Sequence, residues 1–303
     1  MNRFWVILAV VPCAIACAGA PATKPCAGIV YQHEERKGPP MHLHVVTVDL
    51  ADPSVHVVVS RAGDDPDGDG PWSTTLMRTS QIAERDGLDV AVNGDFFMSK
   101  DVLVTPIRKI PYYIGNWANV CGWAMSDGVL WSARPAPASL LVDDAGHVTI
   151  TRLGGHPPAN TRQIVSGMSL IVTDGKNTGA DDARAPHTVA GIDSTGKKLT
   201  LLVVDGRRPD YSAGMTLHEL GDEMIRLGCT SAIQLDGGGS TTLVMFEAAS
   251  SRYEVINRPS DGHDLLLPIS VERAVANVLG IRVDKKPATN PAATMPVKKL
   301  SPR

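Results

Sequence analysis

Asp236 closes an apolar stretch and is followed at once by Gly237, Gly238, Gly239, Ser240 and Thr241. The residues before it, Ile233 and Leu235, call for burial, whereas a carboxylate and three glycines at the end of a strand resist it. Glycine admits backbone conformations that other residues avoid and lets a ligand approach the main chain closely. Successive free N–H groups in such a turn form a concavity that attracts anions. A carboxylate beside an anion cradle suits chemistry on a phosphorylated or otherwise anionic substrate. Taken alone, the same run also fits a strand followed by a flexible turn.

The elements around it narrow that choice. Leu199–Val204 is a short apolar run with the composition of a buried strand, and it ends in Asp205-Gly206-Arg207. Thr216 and Glu219 have the spacing of a capping box, Leu217, Leu220, Met224 and Leu227 then share one helical face, and Gly228 stops the helix. The order is strand, helix, strand, which predicts two neighbouring parallel strands with Asp205 and Asp236 at one C-terminal edge. A helix over Ser73–Asp86, closed by Gly87, leads into a strand over Leu88–Val92 that ends in Asn93-Gly94-Asp95. Three apolar strands therefore each end in a polar residue next to glycine. The predicted fold is α+β or α/β, with a mixed sheet, helices in strand–helix–strand units, and the site at the strands' C-terminal edge.

These motifs, in this order, resemble the phosphodiester glycosidase family: NGDFF at 93–97, DGR at 205–207 with Gly214 and Glu219-Leu220 beyond, and LDGGGSTT at 235–242. Further matches are VSGMSLIVTDG at 165–175, ARAPHTVAGID at 183–193, Asn257-Arg258-Pro259 and Val271-Glu272-Arg273. The resemblance spans roughly residues 28–283, with departures at Asp95, where the family often has glycine, and at His187, where it more often has arginine. It implies hydrolysis of a sugar joined through C1 to a phosphodiester, or of a phosphorylated glycopolymer. Cleavage of C1–O releases a phosphomonoester, so cations that receive the phosphate matter more than protonation of the leaving group. Arg207 and Arg184 are the candidate guanidinium donors, with Arg273 behind them. Asp236, then Asp205, is the carboxylate to face the oxocarbenium charge, as nucleophile or as base for water. The Gly237–Gly239 amides and the Ser240 and Thr241 hydroxyls would hold phosphate or sugar oxygens. Asn93 and Asp95 would line the opposing wall, His187 would lie on a site loop, and Glu272 with Arg273 would form a supporting ion pair. No spacing demands a cofactor, although three convergent acids could hold a divalent cation on the substrate phosphate. A module that grips envelope glycopolymers without cutting them, and a phosphodiesterase that cuts P–O, are the competing readings.

Composition agrees with one exported domain. The chain has 303 residues and a net charge of −3 with both signs interspersed, so nothing suggests a nucleic-acid partner. Its nine histidines show no HExxH and no Cys/His pattern of a structural zinc site. Residues 1–20 read as a targeting segment: Arg3, an apolar stretch, then small residues. Lipid attachment at Cys17, from an imperfect lipobox, is the first reading, and cleavage after Ala20 the second. Either places the protein in a bacterial periplasm or at the cell surface, held to a membrane only by that anchor. Residues 21–27 read as a tether, 28–283 as the domain, and 284–303 as a disordered basic tail. In an oxidising compartment a Cys121–Cys229 bridge is the expected pairing. Asp65–Gly70 matches the opening of a calcium loop, but Leu76 stands at the twelfth position, where a ligand is required.

Overall fold

Leu199, Leu201 and Val203 alternate along one strand with Leu202 and Val204, and the two sets enter different hydrophobic cores. That two-residue period governs the whole molecule. The protein is described by a computed structural model covering residues 23–284, apart from 101–102, 106–107, 110, 181–182 and 265–266. The targeting segment, Cys17 and residues 285–303 lie outside the described residues. Thr23–Cys26, within the segment read as a tether, pairs as an edge strand with Ile29–Arg36.

The described residues form three large sheets, four smaller ones and two α-helices. The largest sheet has eight strands in the order Thr23–Cys26, Ile29–Arg36, Met41–Asp49, Lys198–Val204, His187–Asp193, Cys229–Gln234, Ser169–Thr173, Lys176–Asn177. A five-stranded sheet contains Leu243–Glu247, Val90–Asn93, Asn277–Val283 and Val55–Arg61 behind the edge strand Arg252–Val255. A second five-stranded sheet spans Trp123–Gly167. The central core fills the space between them: Val46, Val48, Leu201, Val203 and Ile233 meet Val59, Val92, Leu279 and Ile281 of the second sheet, and Leu140, Val142 and Val165 of the third. The helices cover outer faces. α2 (Leu217–Arg226) packs Leu220 and Met224 on Leu43, Val45, Val189 and Leu202. α1 (Thr79–Asp86) packs Ile82 and Ala83 on Val58, Ala91 and Val278.

The α+β expectation holds in outline, but the parallel strand–helix–strand unit does not form. Every strand pairing among the described residues is antiparallel. Lys198–Val204 and Cys229–Gln234 do not pair; His187–Asp193 lies between them, antiparallel to both. The two outer strands consequently run in the same direction one strand apart, roughly 10 Å at the usual spacing. Asp205 and Asp236 do emerge at one edge, by a different route from the one expected. The α2 capping box is as read: Thr216 Oγ1 accepts from the Glu219 N–H at 3.2 Å, and Glu219 Oε2 from the Thr216 N–H at 3.0 Å. The first helix is shorter than expected, because Thr74–Thr75 and Met77–Arg78 are extended and paired with other strands before Thr79.

The Cys121–Cys229 bridge is absent, and both are free thiols. Cys229 opens its strand at the end remote from Asp236, packed under α2, whereas Cys121 lies beside Asp95 and Asp236 at the other end. A six-residue strand separates those ends by roughly 20 Å, far beyond disulfide reach.

Candidate active site

The triple-glycine turn closes on itself rather than forming an open cradle. The Gly237 N–H donates to Asp236 Oδ1 at 2.8 Å, that of Gly238 to the Pro186 carbonyl at 2.9 Å, and those of Ser240 and Thr241 to the Gly237 and Gly238 carbonyls. Ser240 and Thr241 are themselves buried. Two of the three glycine amides of the expected cradle are thus committed inside the protein, and its two hydroxyls are buried. What the glycines provide is room for cations. Gly238 sits at φ +61°, and a Cβ there would lie 2.8 Å from Arg207 Nη2. A Cβ on Gly239 would lie 2.2 Å from Arg273 Nη2. Two guanidinium groups rest directly on the turn's backbone.

Asp236 belongs to the same cluster. Burial pushes its carboxyl up to about 6, against the pull of Ser240, the Gly237 N–H and the Arg273 and Arg207 charges. Arg207 is exposed and occupies the left-handed region at φ +61°, a conformation that costs a non-glycine residue on the order of 1 kcal/mol or more. Arg273 is held: Nε and Nη2 donate to the two Asp261 oxygens at 2.8 and 2.9 Å, and its guanidinium lies 4.1 Å from the Tyr112 ring centre. His187 is buried beside Gly237 at the same rim.

Asn93 and Asp95 do not line a wall. Asn93 is fully buried; its Nδ2 donates to the Asp236 carbonyl at 2.6 Å, and its Oδ1 accepts from the Thr188 hydroxyl and the Thr242 N–H. It fastens the second sheet to the turn. Asp95, 2% exposed, accepts from the Ser166 N–H at 3.0 Å and from Asn277 Nδ2 at 2.6 Å, and burial pushes its carboxyl up to about 8.

Asp205 is also an anchor. Its Oδ1 accepts from Asn257 Nδ2 and the Arg258 N–H, both at 3.0 Å. Its Oδ2 accepts from the Tyr211 hydroxyl at 3.0 Å and faces His44 Nε2 at 3.4 Å. Burial alone would raise its pKa, but His44, Asn257 and the Arg258 N–H outweigh it and hold the carboxyl below the usual range. These contacts tie the end of its strand to Asn257, Arg258 and the Tyr211 loop. Asp95, Asp205 and Asp236 do not form a metal-binding group among the described residues.

Two further expectations fail. Arg184 pairs with Glu219 and donates to the Gly214 carbonyl at 2.8 Å, at the mouth of α2 rather than at the turn. Glu272 and Arg273 do not pair: adjacent residues of an extended chain face opposite ways. Glu272 instead accepts from the N–H and hydroxyl of Ser80, both at 2.6 Å, capping α1. In the Asp65–Gly70 loop, the Asp65 and Asp67 oxygens accept backbone N–H groups. Asp261, Tyr112 and Tyr211 were not foreseen; nothing in the spacing of Asp261 and Arg273 announces their pairing.

The fold and this cluster define an α+β domain with an acid–arginine site suited to an anionic ligand. The model of the phosphodiester glycosidase family matches residues 86–282, well over half of the chain, and the protein belongs to that family. Among solved structures it resembles the catalytic domain of zebrafish N-acetylglucosamine-1-phosphodiester alpha-N-acetylglucosaminidase, with a TM-score of 0.62 and 20% identity over 87% of each chain. It also resembles a hypothetical protein from Synechocystis, with a TM-score of 0.55 and 14% identity over 88% of this chain and 64% of the other. None of the curated proteins matches the sequence.

Proposed function

We propose that the protein is an exported hydrolase that cleaves sugar-1-phosphodiesters between C1 and oxygen, releasing the sugar and a phosphomonoester. The observation that carries this reading is the Asp236 carboxyl set among Arg207, Arg273 and the glycine turn. Arg207, exposed and without a carboxylate partner among the described residues, is suited to take the substrate phosphate; Arg273, already bound to Asp261, contributes fixed positive charge. As the C1–O bond breaks, its electron pair goes to the phosphate oxygen, where the guanidinium charge is placed to receive it. Ionised Asp236 faces the positive charge growing at C1. It either bonds to C1, to be displaced by water, or takes the proton from a water that attacks C1. Retention of anomeric configuration would assign the first role, inversion the second. Export rests on the N-terminal targeting pattern, and the zebrafish enzyme's name supports a sugar-phosphodiester substrate class.

A screen of sugar-1-phosphodiesters with the purified protein, with and without chelator, tests the proposal. Release of free sugar and phosphomonoester is expected. Tight binding of these compounds without turnover would instead indicate a glycopolymer-binding module.

A further inference from the structure

Three neighbouring strands turn from apolar to polar on one face at the same rim. Along Ile29–Arg36 the inward row reads Ile29, Tyr31, His33, Glu35; along Met41–Asp49 it reads Val48, Val46, His44, His42; along Lys198–Val204 it reads Leu201, Val203 and then Asp205. The register sets His33 opposite His44 and Glu35 opposite His42, so all four side chains share that face. His33 Nε2 lies 3.0 Å from His42 Nδ1, and His33, Glu35 and His42 each offer a donor atom within 4.8 Å of the others.

We propose that His33, Glu35 and His42 form a binding site for a zinc-type divalent transition ion. Two nitrogens at about 2.0–2.1 Å from a tetrahedral ion stand roughly 3.3 Å apart, so a few tenths of an ångström of opening admits it. Two imidazoles and one carboxylate leave a fourth position open, and a nitrogen-rich set selects zinc, cobalt, nickel or copper over calcium or magnesium. The rings are supported from behind: His33 stacks on His44 at 4.6 Å, and His42 stacks on Tyr211 at 3.8 Å. Burial lowers the pKa of both His33 and His42, favouring the neutral form that ligates. Glu35 is 66% exposed and has the freedom to swing onto the ion. Tyr211 donates to Asp205 and rides on the loop that presents Arg207, so an ion here would also brace the candidate active site.

Titration of the tag-free protein with Co2+ at pH 7.5 tests this, read by visible d–d absorption. The expected result is one Co2+ per chain with an intense band, displaced by Zn2+ and lost in both His33→Gln and His42→Gln. His147→Gln, on an exposed side chain remote from the hairpin, should leave the band intact. Glu35→Gln should weaken binding by roughly tenfold or more. Absence of a band, or its persistence in both histidine variants, overturns the proposal. If either histidine variant is unfolded by circular dichroism, Glu35→Gln decides: unchanged affinity there also overturns it.

Discussion

The Arg273 guanidinium rests on the backbone of Gly239 so closely that a Cβ at that position would come within 2.2 Å of Nη2. Gly239 is therefore a glycine because of a neighbour, since its own backbone does not require one. Gly239→Ala should push the guanidinium off the turn and strain its pairing with Asp261. We expect kcat/KM to fall roughly 10- to 100-fold, with a loss of about 1–3 kcal/mol in stability from overpacking. Wild-type turnover in Gly239→Ala, measured on a responsive sugar phosphodiester, would remove Arg273 from the functional site.

Asp205 should matter for stability first. Its oxygens accept from Asn257, Arg258 and Tyr211, and Asn in its place would set an amide N–H₂ against donors. Asp205→Asn is expected to cost about 3 kcal/mol in chemical denaturation. The sign with pH follows from its lowered pKa: the stability it supplies is present above the unfolded value of about 3.9 and is lost as pH falls through the lower folded value. The variant should lack that acid-side loss. Equal stability of variant and wild type at pH 7 would refute the anchoring role.

Much of this arrangement was legible from residue order, and the reasons for the remainder are physical. The buried strand at Leu199–Val204 and the capping box at Thr216 follow from local rules of periodicity and capping, whereas the shared edge of Asp205 and Asp236 was expected from a parallel unit that does not form. Strand pairing does not follow from such rules: His187–Asp193 enters between the two strands from outside the strand–helix–strand unit, and no local pattern records that. Polar roles were the least legible. Asn93, Asp95 and Asp205 have the residue types of a site wall, yet each is buried and spends its side chain joining segments far apart in sequence. Glycines hosting guanidinium groups read, in one dimension, the same as glycines hosting a phosphate. The His33/Glu35 and His42/His44 pairs are brought together only by the hairpin register.

The pKa of Asp236, pushed up to about 6 by burial, gives a pH prediction. The reaction needs the carboxylate, so kcat/KM should be level above about pH 6.5 and fall about tenfold per unit below 6. A profile flat down to pH 4.5 would contradict the assignment. The stability sign is opposite to that of Asp205: protonated Asp236 is favoured in the fold, so the stability is full below about pH 3.9 and is lost as pH rises through 6.

Asp236→Asn removes that cost while losing the negative charge. Its melting temperature at pH 7 should equal or exceed the wild-type value, while kcat falls by roughly 10³ or more, about 4 kcal/mol of transition-state stabilisation. An unfolded variant, or one with near-normal kcat, would make Asp236 a turn residue.

Arg207→Lys keeps the charge but loses the planar fork that binds two phosphate oxygens. Both KM and kcat should worsen, and the loss should shrink on substrates with better leaving groups. A uniform loss across leaving groups would mean that Arg207 does not act on the departing phosphate.

Hydrolysis of a sugar-1-phosphodiester in ¹⁸O-labelled water separates cleavage at the anomeric carbon from cleavage at phosphorus. Mass spectrometry of the two products should find the label in the sugar and none in the phosphomonoester; label in the phosphomonoester would mean P–O cleavage and would refute C1–O hydrolysis.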